Sequence, residues 1–285
     1  MGVFSDYTMI LFDNHNHSQF SFDGKKTTVE ASARSALSKG LGGIAFTDHC
    51  DYYIPTFKSA YESVVPEQFD IKAQQEEIDR VRAIMCSSEG FKILKGIEIG
   101  MYDECHDEIR KTLTDNNFDQ IIASIHYLEK TDPYYGGFYE GKDWKQAYGI
   151  YLETIYREMT WMKDFDIVGH FDYVARYSPY PQDGMPYKDF SDIFDAIFRY
   201  LIEEGKALEI NTKSCTGTHG RKTTLDNNVL LRYREMGGEI ITLGSDSHLA
   251  EHVAEGFDEA AALLKSLGFR WNAHYEERKL VQTSL

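Results

Sequence analysis

Short apolar runs in this chain end, again and again, on residues that bind metals. Six of the ten histidines (His15, His17, His49, His126, His170 and His248) lie just past a run that reads as a β-strand. Asp23, Glu98 and Asp246 occupy the same kind of position. Histidines scattered for packing would not track strand ends so regularly. Nine nitrogen and oxygen donors at the same end of successive strands can converge on one point, enough for more than one metal ion.

The rest of the chain alternates strand and helix. MILFDNHNH reads as a first strand, GGIAFTDH as a second, KILKGIEIG as a third and FDQIIASIH as a fourth. FDIVGHFD, KALEINT and EIITLGSDSH supply strands five to seven. Between them, apolar residues recur at steps of three and four, the helical period. Thr27 with Glu30 three residues on predicts a capped helix start, and Gly40 its stop. Trp144, Ala147, Tyr148, Tyr151, Ile155, Met159 and Met162 mark a long fourth helix. Further helices are expected near 71–87, 225–236 and 257–267, followed by a polar tail. Seven strand–helix units in one chain predict a distorted (β/α)7 barrel, TIM-barrel-like, formed by residues 1–285 as a single domain. In such barrels chemistry sits at the carboxyl ends of the strands, where all nine candidate ligands fall. The stretches 52–69, 132–142 and 177–188 are expected to be long loops over the mouth.

Composition narrows the partners. With 285 residues the chain can build one large core. A net charge of −16 argues against nucleic acid or an anionic membrane as partner. No run approaches the roughly 18 apolar residues of a membrane span, and the N-terminus does not read as a signal peptide, so a cytoplasmic enzyme is expected. Cys50, Cys86, Cys105 and Cys215 form no metal-binding pattern and suit free thiols.

Individual motifs carry different weight. In His15-Asn16-His17 two imidazoles share one strand face and can chelate one ion. The following loop could bring Asp23 back over the mouth. Thr47-Asp48-His49 sets a carboxylate beside a ligand, where it could orient that histidine or a neighbour. Glu98 closes an apolar strand and needs a partner, which a bridging metal would supply. Asp246-Ser247-His248 repeats the two-residue spacing on the last strand, which neighbours the first in a closed barrel.

Taken in order, H-N-H…D-G, T-D-H, G-I-E, S-I-H, G-H-F-D and S-D-S-H resemble the polymerase and histidinol phosphatase (PHP) superfamily over nearly the whole chain. HSQFSFDG, FTDHCDY, IASIHYL, VGHFDYVARY and LEINTKS look most like its stand-alone phosphatases. The resemblance implies three divalent ions, with zinc, iron or manganese suited to a mixed donor set. It implies His15, His17, Glu98 and Asp246 on the first ion, Glu98, His126 and His170 on the second, and Asp23, His49 and His248 on the third. It further implies hydrolysis of a small phosphorylated metabolite, L-histidinol phosphate in histidine biosynthesis, by a hydroxide bridging the first two ions. Glu98, Asp246 and Arg176 are the expected catalytic groups. Arg176, with its planar donors, is the first expected phosphate contact. Lys213, His219 and Arg221 are further candidates for substrate binding. Another monoester (a nucleotide, sugar phosphate or phosphotyrosine) is the alternative substrate. An amidohydrolase-type barrel would need a lysine where Glu98 stands. The sequence leaves oligomeric state open.

Overall fold

The computed structural model describes residues 11–52, 68–85, 90–217 and 222–285. Among them, seven parallel staves form a sheet in the order β1 (Phe12–Asp13), β2 (Gly43–Phe46) continued by β3 (His49–Cys50), β4 (Lys92–Gly100), β5 (Gln120–Ser124), β6 (Ile167–Val168), β7 (Ala207–Asn211) and β8 (Ile241–Gly244). β2 and β3 count as one stave because both pair with β4 in one register. Phe46 lies opposite Lys95, and His49 opposite Glu98. The last stave then meets the first. Asn14 N donates to Leu243 O at 2.9 Å, Asp246 N to His15 O at 2.8 Å and His17 N to Ser247 O at 2.8 Å. The sheet is thus a closed, distorted (β/α)7 barrel, as the alternation predicts.

Helices α1 (Val29–Ser38), α2 (Ile71–Met85), α3 (His106–Asp115), α4 (Trp144–Met162), α5 (Tyr173–Arg176), α6 (Ser191–Glu203), α7 (Lys213–Thr216), α8 (Asn227–Glu235) and α9 (Phe257–Ser266) connect the staves. α4 begins where expected. Asp143 accepts from Gln146 N while the Gln146 side chain accepts from Asp143 N, both at 2.9 Å, so two otherwise orphaned donors are satisfied. Its predicted stripe is buried through Tyr148, Tyr151, Ile155 and Met159. Each such side chain contributes about 1.5–3 kcal/mol of apolar burial. α1 starts one residue later than expected. Thr28, not Thr27, takes the extended cap conformation and accepts from Ala31 N at 3.1 Å. Thr27 instead bonds Ser32, and Glu30 pairs with Arg34, so no capping box forms.

The expected polar tail is a second correction. Residues beyond α9 form an antiparallel hairpin, β9 (Trp271–Glu276) and β10 (Lys279–Ser284). It plugs the amino end of the barrel. Tyr275 packs with Ile122, Ile167 and Ala207, and the His274 ring stacks on Phe12 with centroids 3.6 Å apart. The connecting Glu277 and Arg278 both have positive φ, 49° and 64°, the demand of a tight hairpin turn. Asp119 offers the support, accepting from Glu277 N and, through its carbonyl, from Arg278 N. Glu-Arg lacks the Asn-Gly signal by which such turns are read from sequence.

Candidate metal centre

Six of the seven staves, all but β7, end in a ligand, because the inward positions of parallel strands alternate and the outermost inward position faces the mouth. His15 and His17 continue from β1 along its seam with β8. His49 is the first residue of β3, Glu98 sits near the end of β4, and His126 and His170 come two residues after β5 and β6. Asp246 follows β8 with φ of 52°, a left-handed conformation that aspartate tolerates better than most residues. Asp23 arrives from a loop. Asp48 anchors that loop by accepting from Ser18 N at 2.6 Å, Ser18 Oγ at 2.8 Å and Ser21 N at 3.2 Å. Gln74 of α2 donates to Asp48 Oδ2, the oxygen that also accepts from Ser18 Oγ. Asp48 therefore acts on the loop rather than on the adjacent His49. Gly24 completes the turn, since a Cβ there would sit 2.2 Å from Ser18 O.

All nine predicted ligands meet. Glu98 is the hub and is fully buried. Its Oε2 lies 3.2 Å from His15 Nε2, 3.6 Å from His17 Nε2 and 2.9 Å from His49 Nδ1. Its Oε1 lies 2.9 Å from His170 Nε2 and 3.3 Å from His126 Nε2. Asp246 Oδ1 is 3.3 Å from His17 Nε2. On the outer side, Asp23 Oδ2 is 2.9 Å from His248 Nε2 and 3.6 Å from His49 Nε2. Glu98 Oε2, His15 Nε2, His17 Nε2 and His49 Nδ1 are all buried without a hydrogen-bond partner among the described residues. Buried polar atoms are rarely left so, and four facing one another mark a site built for an ion.

Donor atoms within 4.8 Å of one another group as His15–His17–Glu98, Glu98–His126–His170 and His17–Asp23–His49–His248. The second is the set implied by resemblance; the first lacks Asp246, which groups with His15 and His170 instead, and the outer one gains His17. His15–His170–Asp246 and His49–Asp51–His126 are further groups. Mixed imidazole and carboxylate donors suit divalent ions.

The electrostatics point the same way. Burial opposes ionisation of Glu98, but His15, His126 and His49 outweigh it and hold the carboxyl well below its usual range. Burial likewise opposes protonation of His49, but Glu98 and Asp23 raise it to about 10. Around Glu98 and Asp23 the cluster traps positive charge, whereas burial and the neighbouring His49 and His248 hold His17 well below its usual value.

Two residues that hold the ligands were not singled out from sequence as doing so. Glu209 of β7 accepts from His15 Nδ1 at 2.7 Å and from His170 N at 2.6 Å. Asp51 Oδ1 lies 2.9 Å from His126 Nδ1. Each fixes one ring nitrogen and so turns the other toward Glu98. The signal for Glu209 was a carboxylate at an inward position of an apolar strand, the argument that had singled out Glu98.

The expected substrate contacts divide. Lys213 stands at the mouth, its Nζ 3.0 Å from Asp246 O and 3.2 Å from His248 Nδ1. Arg176 is 2% exposed and sits behind Asp246. Its Nη1 donates to Asp246 Oδ2 at 3.1 Å, its Nε to Ser214 Oγ at 2.8 Å and its Nη2 faces Asp172 at 3.5 Å. It is not among the residues lining the mouth cavity of about 490 Å³. The short helix α5 turns its side chain inward against two carboxylates. His219 and Arg221 lie outside the described residues.

A closed barrel with a buried imidazole–carboxylate cluster at its carboxyl end defines a metal-dependent hydrolase. The PHP domain family matches residues 13–213, and this chain belongs to it. A relative over nearly its full length is the histidinol-phosphatase of Lactococcus lactis subsp. lactis, 32% identical, with 95% of this chain and 97% of the relative aligned. The crystal structure of the Lactococcus lactis histidinol phosphate phosphatase, complexed with zinc, L-histidinol and phosphate, superposes with a TM-score of 0.83 at 29% identity. It covers 96% of this chain and all of that one. A solved structure from Listeria monocytogenes shares the fold at a TM-score of 0.68 and 17% identity, covering 87% of this chain and 99% of its own. No helix among the described residues is long and apolar enough to cross a membrane.

Proposed function

We propose that this chain hydrolyses L-histidinol phosphate to L-histidinol and phosphate, with the whole chain acting as one catalytic unit. The observation that carries the reading is the set of orphaned donors around Glu98, in a chain aligned end to end with a phosphatase crystallised with zinc, L-histidinol and phosphate. His15, His17, Glu98 and Asp246 would hold a first ion, Glu98, His126 and His170 a second, and Asp23, His49 and His248 a third. Zinc, iron and manganese all suit these donors. When bound, such ions supply positive charge against phosphoryl oxygens and lower the pKa of water.

The chain's own groups do the rest. Glu209 and Asp51 keep the Nε2 atoms of His15 and His126 directed at the centre. Lys213 brings an ammonium to the rim beside Asp246 and His248, where it adds an electrostatic contact to a phosphoryl oxygen. Arg176 holds Asp246 from behind and adds positive potential at the phosphate end. His219 and Arg221 stay as proposed substrate contacts on sequence grounds. The test is a panel of phosphate monoesters assayed with protein loaded with zinc, manganese or iron. L-histidinol phosphate is expected to give the highest kcat/KM. Dominant turnover of a nucleotide, a sugar phosphate or phosphotyrosine would overturn the substrate assignment.

A further inference from the structure

We propose that Asn14 is a positioning residue for the metal centre: its side-chain amide holds a step in β1 that turns His15 and His17 to the mouth while Phe12 stays on the hairpin plug. The inference rests on the ligand set proposed above and adds the residue that fixes two of its members.

Strand geometry alone does not put these residues where they are. Successive side chains of a strand point to opposite faces, so Phe12 and Asn14 belong on one face and Asp13 and His15 on the other. Phe12 lies inside the barrel, packed with Ala45 and Leu94 and stacked on the His274 ring of the plug. A Cβ on Gly43 would come 2.4 Å from the Phe12 ring, so the ring is held from that side as well. Asp13 points outward and accepts from Ala254 N, ahead of α9, at 2.8 Å. His15 should follow Asp13, but its ring lies inside, 2.7 Å from Glu209 and 3.2 Å from Glu98. Asn14 and His15 are therefore consecutive residues that both face inward. The register against β2 is the same before and after them. Gly42 N donates to Leu11 O and Thr47 N to Asn16 O, each at 2.8 Å. No residue is inserted, so β1 turns about its own axis at this point.

Asn14 supplies the bonds that such a turn requires. Its Nδ2 donates to Leu243 O of β8 at 3.1 Å and to Ala273 O of the plug at 3.0 Å, with Phe12 O at 3.3 Å. Its backbone carbonyl accepts from Gln120 Nε2 of β5 at 2.7 Å. One residue thus ties four strands together directly beneath His15. Asn14 and Gln120 are both buried, where backbone groups turned off the ladder need partners of this kind. Its Oδ1 accepts nothing among the described residues, so the amide serves here as a donor. A short side chain with two N–H donors can meet carbonyls of two strands at once. Serine has one donor and ionised aspartate none. Without that amide the strand is free to relax to regular alternation, which carries His15 away from Glu98.

The experiment compares wild type with Asn14→Leu, Asn14→Ser and Tyr275→Leu. Tyr275 packs the plug on β5, β6 and β7 through Ile122, Ile167 and Ala207, so its variant loosens the floor without altering the step. Three quantities are measured: zinc affinity by competition with a chelator, the visible absorption of cobalt-substituted protein, and Tm. In Asn14→Leu the ion on His15 and His17 is expected to bind about 10- to 100-fold more weakly, with a changed cobalt spectrum. Asn14→Ser keeps one donor and should fall between, and it decides the question should Asn14→Leu not fold. Tyr275→Leu should lower Tm and leave zinc affinity and the cobalt spectrum unchanged. Asn14 variants that melt lower but hold metal with wild-type affinity and spectrum would overturn the positioning role and leave the ligand set standing. Equal loss of metal in Tyr275→Leu would overturn it too, since any loosened floor would then act alike. A wild type that binds no zinc would overturn both.

Discussion

Among the described residues, both ends of the barrel bury polar atoms without hydrogen-bond partners, but only the mouth buries a carboxylate oxygen in this way. At the mouth they are imidazole nitrogens of His15, His17 and His49 and a carboxylate oxygen of Glu98. Toward the hairpin they are Asn14 Oδ1, Gln120 Oε1, Thr242 Oγ1, the Asn272 side chain, Tyr275 Oη and one imidazole nitrogen, His274 Nδ1. Neutral dipoles of the second kind cost about 1–3 kcal/mol each when unpaired. A buried carboxylate costs far more unless cations or several hydrogen-bond donors offset it. The floor is held by stacking and backbone bonds, as where His274 lies on Phe12 and Asn14 donates to Ala273 O. The mouth is held by outer carboxylates that aim the ligands inward. One end tolerates its orphans for the sake of a fold, and the other concentrates them for a reaction.

That contrast can be broken by mutation. Glu98→Ala or His17→Ala should lower turnover by about 10³ or more and reduce metal content, because each removes a donor shared between groups. Metal analysis with steady-state assays decides it, and wild-type turnover in either variant would end the reading. Arg176→Ala takes from Asp172 its buried guanidinium partner and leaves Asp246 with Lys213 alone. It should cost about 3–5 kcal/mol in denaturant unfolding, beyond any change in KM. Glu209→Gln should weaken metal affinity about 10- to 100-fold with little loss of fold, measured by competition with a chelator.

A pH series sharpens the same contrast. Glu98 and Asp23 raise His49 to about 10 in the metal-free cluster, so metal uptake at pH 8 must displace protons. Affinity should fall as pH falls, by up to about tenfold per unit for each proton displaced. Calorimetry in buffers of different ionisation enthalpy counts those protons, and no release would contradict the charge trap. The smallest effect belongs to the floor. Thr242→Val replaces an orphaned hydroxyl by a methyl of the same shape and should shift stability by no more than about 1 kcal/mol, in the stabilising direction. It should leave metal content untouched.

What could be read from sequence followed from periodicity and donor chemistry. The staves are short apolar runs, and a ligand at the end of six of them has one direction to face. Glu209 was hidden because LEINT reads as a strand and its polar residue carries no label for its partner. Asp51 was hidden as a holder of His126, since nothing along the chain tells that the two meet. Arg176 was expected on the cavity wall, but the four-residue α5 turns it behind Asp246. The hairpin was missed because its turn depends on Asp119, more than 150 positions away, for support. Long-range partners of this kind leave no local pattern.

The seam between β1 and β8 runs through His15, His17 and Asp246 themselves, by backbone bonds on the ligand residues. Ring closure and assembly of the centre are therefore a single event. A nascent chain that has not yet released residue 248 from the ribosome holds most of the donors and lacks the strand that draws them together. Tight metal capture becomes a marker that synthesis has passed that point.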